Sequence, residues 1–314
     1  MHQIVAEVWR GGVVESVHHG SVIALDGARG FSVGGPEALT FPRSSVKPVQ
    51  ALAMVRAGLD LDGELLALAC ASHSGESFHI DGVRRILAGA GLTEADLRCT
   101  PDRPIGPQAH DEHIAAGLSP APLYMNCSGK HAAMLATCAA NGWDTRTYLS
   151  PDHPLQRHIR DTVAELAGEP VAVTTVDGCG APLFGFSLTG LARAFRTIAT
   201  APAGTPEHRV AQAMRTHPEF VGGTGRDVTT VMRGLAGAVA KDGAEGVYAL
   251  GLPDGQAVAV KIADGSSRAR AVVLIAALRR LGVDVSALAE LAQAPVLGHG
   301  EPVGAVRPAG ELAA

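Results

Sequence analysis

With 314 residues, 46% of them hydrophobic, and a net charge of −5, the chain has material for a large core or two closely packed subdomains but no basic field to attract phosphate backbones, so no nucleic-acid partner is expected. Five cysteines (Cys70, Cys99, Cys127, Cys138 and Cys179) at irregular spacing argue against a disulfide framework and leave metal binding or reactivity as their special uses. The opening "MHQIVAEVWRGG" lacks a leader pattern and no later segment offers about 18 uninterrupted apolar residues, so a soluble cytoplasmic protein with a small-molecule substrate and no membrane partner is expected.

Residues 3 to 34 read as an antiparallel meander: "IVAEVWR", a Gly11-Gly12 turn, "VVESVHHG", then "SVIALD", with Asp26-Gly27 turning into "GFSVG". From Val46 the period changes. Val46, Val49, Leu52, Ala53 and Ala57 share one face of a helix ending at Gly58, with Pro48 in the first turn, where its missing N–H is no loss. Arg56 is the one polar residue on that face. Helical patterns continue through 61–71, 79–91, 110–117, 128–141, 152–167 and about 205–239. Strand signals return in "EGVYALGLPDGQAVAVKIAD", where Pro253-Asp254-Gly255 reads as a hairpin turn, and an amphipathic helix follows, "SSRARAVVLIAALRRLG", opened by a Ser cap and closed by Gly282. The last fifteen residues read as loosely ordered.

This order predicts an α+β protein whose antiparallel sheet is built from both chain ends, with flanking helices and an inserted, mostly helical lobe. The expected division is a sheet lobe at about 1–45 and 240–314 and a helical lobe at about 46–239, together one catalytic unit over 1–314 with its site in the cleft between the lobes.

Four constellations could carry chemistry. In "FPRSSVKPVQ", Ser44 and Lys47 have the S-x-x-K spacing that puts a hydroxyl and an amine one helical turn apart, whereas Ser45 and Lys47 would diverge. A desolvated lysine can deprotonate a serine, though the same four letters also describe a capping Ser followed by a solvated Lys. In "LACASHSGE", Ser72, His73, Ser74 and Glu76 follow an apolar helix and read either as site lining or as a plain loop. In "AVAKDGAEGVYAL", Lys241 and Gly243 lead into a predicted strand, in the manner of the K-[ST]-G of penicillin-recognising proteins, with Asp242 in place of the hydroxyl residue. Finally, "MNCSGKHAAML" supplies Cys127, Lys130 and His131 at a helix start, and "TTVDGCGAPLFG" supplies Asp177 and Cys179. Paired C-x-x-C spacing is absent, so the cysteines read as zinc ligands of an unusual kind, as buried packing residues, or, for Cys127 at a helix N-terminus, as a nucleophile. The G-x-G of "HPEFVGGTGRD" lacks the strand–turn–helix context of a dinucleotide site.

Taken in order, "RSSVKP", "CASHSGE", "NCSGKHAAML", "DGCGAP", "HPEFVGGTGRD" and "KDGAEGVYAL" resemble the rhizobial-type (thermolabile, asparaginase II) L-asparaginases through nearly the whole chain. The resemblance implies a fold like that of serine β-lactamases and glutaminases, a homodimer, and hydrolysis of L-asparagine to L-aspartate and ammonia. It also implies two serine–lysine tandems: Ser44 with Lys47, preceded by Arg43, and Ser72 with Lys241, Lys261 being the alternative lysine. Cys127, Lys130 and Cys179 would bind zinc, with Asp177 and His131 beside them, and His73 and Glu76 would line the site. The rival expectations are a glutaminase or β-lactamase-like amidohydrolase, a cysteine hydrolase, and an inactive zinc-binding or ligand-binding relative.

Overall fold

The computed structural model describes residues 1–313. Alternating apolar residues near the start form β1 (Gln3–Arg10), β2 (Val13–Leu25), β3 (Phe31–Val33) and β4 (Leu39–Thr40). Helices α1 (Lys47–Arg56), α2 (Gly63–Ala69), α3 (Ser77–Gly89), α4 (Pro107–Ala115), α5 (Ser128–Asn141) and α6 (Pro154–Ala167) follow. The chain continues through β5 (Val173–Val176), β6 (Pro182–Ser187), α7 (Leu188–Thr200), α8 (Pro206–Thr216), α9 (Pro218–Val221) and α10 (Asp227–Gly234). Strands β7 (Val239–Asp242), β8 (Val247–Gly251) and β9 (Ala257–Ile262), helix α11 (Arg270–Arg280), and strands β10 (Ala294–Gly298) and β11 (Glu301–Pro308) complete it.

These elements divide into two compact units. The first holds Met1–Ser45, Phe186–Thr200 and the chain from Thr230 onward, so α7 and the stretch 230–239 belong with the sheet. Its sheet is antiparallel in the order β10-β11-β1-β2-β9-β8-β7, with β3 also paired to β2. Helices α7 and α11 pack on it. Val272, Val273, Leu274, Ile275 and Leu278 of α11 are all buried, each contributing roughly 1.5–3 kcal/mol of apolar burial. Gly251 of β8 permits the close approach of α7, because a Cβ there would lie 2.5 Å from the Phe195 carbonyl oxygen.

The second unit, Val46–Gly185 with Ala201–Thr229, is mainly helical. Helix α1 packs against α6, α8 and α5, and α2 against α8, α5 and α3. Arg56 fits the otherwise apolar face of α1 by donating to Glu165 of α6 and Glu207 of α8. Gly129 at the start of α5 lets that helix press against α2: a Cβ there would stand 2.5 Å from the Leu68 carbonyl oxygen.

Several sequence expectations change. The two strands read in "VVESVHHG" and "SVIAL" are one continuous β2. The region 205–239 is three short helices interrupted at Gly222–Arg226 rather than a continuous helical stretch. Lys241 lies within strand β7 instead of preceding a strand. The serine run before α11 forms a 3-10 turn, with Ala269 at the cap of α11 and no capping side-chain bond. The end of the chain is not loose. Strand β11 pairs with β1 in the register Ala6↔Pro308, Val8↔Val306, Arg10↔Gly304. Its Gly and Pro content disguises it, but Gly304 is needed there, since a Cβ would lie 1.8 Å from the Trp9 carbonyl oxygen.

Candidate active site

Arg43–Val46 form a 3-10 turn that runs directly into α1. Arg43 enters this turn with φ of +51°, a left-handed conformation that costs a non-glycine residue on the order of 1 kcal/mol. Ser44, partly exposed, follows it. Ser45 is fully buried, donates its backbone N–H to the Pro42 carbonyl at 3.1 Å, and has no partner for its hydroxyl among the described residues. Gly243, just past β7, backs this turn: a Cβ there would stand 2.8 Å from both Ser45 Oγ and the Pro42 carbonyl oxygen. Gly243→Ala is therefore expected to displace the Ser44–Ser45 turn and to lower kcat/KM by about 10- to 100-fold with little change in KM, measured by steady-state kinetics alongside thermal unfolding.

In the helical unit, Lys47 is 1% exposed at the start of α1. Its Nζ donates to the Ala71 carbonyl at 2.5 Å, to Ser72 Oγ at 3.0 Å and to Cys127 Sγ at 2.9 Å. The lysine that contacts Ser72 is thus Lys47. None of these three acceptors is a carboxylate.

The "SHSGE" segment is laced into place on both sides. The N–H of Ser72 donates to Val221, that of Ser74 to Gly222, and that of His73 to Asn126. Ser74 Oγ donates to the Gly222 carbonyl at 3.1 Å, which leaves Ser72 as the serine of this motif that contacts a lysine. Glu76, expected to line the site, accepts from the N–H and hydroxyl of Thr224 and so clasps the "GGTG" loop. That loop approaches closely because Gly223, at φ +132°, has no Cβ; one would sit 2.1 Å from Ser74 Oγ. The Arg226 guanidinium makes a long 3.5 Å contact with the Ser72 carbonyl. A depression of about 300 Å³ lined by Ser74, Glu76, Gln108, Glu112 and Thr224 opens beside this clasp.

His73 is fully buried with Nε2 2.9 Å from Ser128 Oγ, and its ring stacks on His79 at 5.1 Å. Burial pushes the pKa of His73 well below the usual histidine range and that of His79 down to about 4. An unfolded histidine titrates at about 6.5, so between that pH and 4 the unfolded state binds the extra proton at His79 and stability falls as pH falls. Unfolding at stepped pH is expected to show this group removing up to about 3 kcal/mol across the window, with a shallower slope in His79→Gln.

Cys127, Lys130, His131 and Cys179 are all buried. Lys130 Nζ donates to Cys179 Sγ at 3.1 Å, and Asp177 Oδ2 lies 3.8 Å from that sulfur. Cys127 Sγ donates to Asn126 Oδ1 at 3.2 Å. Interaction with Cys127 and with the Lys130 ammonium holds Cys179 far below the usual thiol range, while interaction with Cys179 and burial push Cys127 well above it. Burial works against the Lys130 charge, but Cys179 and Cys127 outweigh it and raise Lys130 above the usual lysine range. His131 presents Nδ1 to the Tyr148 hydroxyl at 2.7 Å. Among the described residues no three His, Cys, Asp or Glu side chains form a metal-binding group.

In the sheet unit, Lys241 is fully buried, and its Nζ donates to the Asp242 carbonyl at 2.7 Å and to Asp242 Oδ1 at 2.5 Å. Arg270 donates to Asp242 Oδ2 and to the Gly243 carbonyl. Lys261 donates to the Glu245 and Ile262 carbonyls, and burial lowers its pKa. Arg43 lies 3.7 Å from Glu245. Of the two candidate lysines for the second tandem, Lys241 is the one tied to a carboxylate. The contacts of Arg270 and Ser128 escape sequence reasoning; the "KDG" spelling pointed to Gly243, and to Asp242 as a carboxylate replacing a hydroxyl, but not to what they touch.

No helix among the described residues is long and apolar enough to cross a membrane. No curated protein matches the chain. Among solved structures, the chain is similar to a Bacteroides dorei protein with a provisional β-lactamase assignment (14% identity, 83% of this chain and 93% of that one, TM-score 0.44). It is also similar to a β-lactamase from Burkholderia vietnamiensis (16% identity, 83% and 91%, TM-score 0.36) and to EstCE1, a hydrolase with promiscuous acyltransferase activity (14% identity, 82% and 88%, TM-score 0.37). The model of the L-asparaginase II family matches residues 6–308, and the chain belongs to that family.

Proposed function

We propose that the protein hydrolyses L-asparagine to L-aspartate and ammonia by serine–lysine acyl transfer. Besides the family match, the observation that carries this reading is the buried Lys47 side chain, whose hydrogen-bond partners include Ser72 Oγ and no carboxylate. Lys241, by contrast, is bonded to the Asp242 carboxylate.

In this reading Ser44 is the nucleophile. It precedes Lys47 by three residues in sequence, lying in the Arg43–Val46 3-10 turn that runs into α1. Lys47 takes the Ser44 proton as oxygen attacks the side-chain amide carbon, and the proton passes through Ser72 to the leaving ammonia. Backbone N–H groups stabilise the oxyanion, and water then frees aspartate from Ser44. Cys127, Cys179 and Lys130 are proposed to hold zinc: two sulfurs and an amine gathered in a buried cluster form a suitable donor set. When bound, the metal would supply a fixed positive charge that orients the surrounding groups. Asp177 and His131 support these ligands from behind.

A second reading makes Ser72 itself the nucleophile, favoured by its 3.0 Å contact with Lys47. Ammonia release from L-asparagine, compared with L-glutamine and with nitrocefin hydrolysis, tests the substrate. Turnover of asparagine alone is expected, and preferential turnover of either alternative overturns the assignment.

A further inference from the structure

We infer that Lys47 and Cys127 form a reversible covalent modification site, a nitrogen–oxygen–sulfur bridge made under peroxide. Lys47 Nζ and Cys127 Sγ stand 2.9 Å apart, both side chains at most 3% exposed. The other two hydrogen bonds of Nζ, to Ala71 and Ser72, pin the nitrogen against the sulfur. Position is also fixed on the sulfur side, because Cys127 caps α5 and Gly129 seats that helix on α2. No disulfide occupies the sulfur, since Cys127 is a free cysteine. A bridging oxygen spans nearly the separation already present, whereas a direct sulfur–nitrogen bond would have to close much of it.

The chemistry balances with hydrogen peroxide as oxidant. Lys47, as the free amine, takes the Cys127 proton; the thiolate attacks one peroxide, which takes two electrons from sulfur, and with that proton returned one water leaves as the sulfenic acid forms. A second takes two electrons from the Lys47 nitrogen as an N–O bond forms to the sulfenic oxygen. One hydrogen leaves the nitrogen and one leaves the sulfenic acid, and two further waters form. Reversal takes two dithiols, four electrons in all: the first attacks at sulfur, frees the Cys127 thiol and leaves Lys47 as its hydroxylamine, and the second removes that oxygen as water. The bridge withdraws the proposed base and a proposed metal ligand together. That consequence rests on the proposed function; the bond itself does not.

The test is peptide mapping by mass spectrometry of the full chain, as purified and after chelator treatment, following brief exposure to peroxide. The expected result is a Lys47–Cys127 cross-linked peptide carrying one added oxygen and lacking two hydrogens, a gain of about 14 Da. The cross-link should vanish with dithiothreitol and be absent from Lys47→Arg and Cys127→Ser. Sulfinic or sulfonic Cys127 without a cross-link, a Cys127–Cys179 disulfide with a loss of about 2 Da, or a bridge on Lys130 and Cys179 in its place would each overturn the inference. Because the readout is mass, a failure here is distinct from a failure to hydrolyse asparagine.

Discussion

Ser44→Ala is expected to lower kcat for asparagine by at least about 10⁴-fold and to abolish any acyl-enzyme, while Ser72→Ala slows turnover by about 10²-fold and still acylates at Ser44. The nucleophile forms the covalent bond and has no substitute, whereas a relay can be replaced in part by water. Lys47→Met should fall between these, at about 10³-fold, because methionine fills the buried volume without a group that can accept a proton. The discriminating measurement is mass spectrometry of quenched reactions, since the serine that carries the aspartyl adduct is read directly. If the adduct appears on Ser72 and survives in Ser44→Ala, the nucleophile is Ser72, and the 3.0 Å Lys47–Ser72 contact marks the attacking pair rather than the relay. Thermal unfolding of all three variants separates lost chemistry from lost structure. The largest structural effect is expected for Lys47→Met, which leaves the Ala71 carbonyl and Cys127 without their shared donor.

What the sequence disclosed depended on whether a residue's partner was nearby in the chain. The α1 helix was legible because Val46, Val49 and Leu52 repeat with its own period, and Pro253-Asp254-Gly255 announced its hairpin because turn chemistry is local. Lys47 could be matched by spacing to Ser44, three residues away. Its contact with Ser72 arises from the packing of α1 against α2, and its contact with Cys127 from that against α5, which no window of sequence contains. Strand β11 was hidden for the opposite reason. Its Gly304 and Pro308 carry loop signals, and only the register with β1 turns them into a requirement for close approach. Glu76 resembled a site carboxylate because it stands in a serine-rich motif; its bonds to Thr224, a residue from a loop 148 positions away, could not be read from that motif.

Removing the proposed metal should be the other large perturbation. As purified, the chain is expected to hold one zinc, and Cys127→Ala or Cys179→Ala to hold none, because two remaining donors cannot close the site. Lys130→Met is the sharper test. If Lys130 is only a counter-ion to the Cys179 thiolate, zinc stoichiometry stays at one and affinity changes little; if its amine is a ligand, affinity falls by about 100-fold or more. Zinc at about 100 times its Kd should stabilise the wild-type fold by about 2.7 kcal/mol, and this increment should disappear in either cysteine variant. Zinc content by elemental analysis and unfolding midpoints with and without chelator check both. Equal zinc content in Cys179→Ala and wild type would remove the metal from this cluster and leave Cys127, Cys179 and Lys130 as a buried group held by the Lys130–Cys179 hydrogen bond.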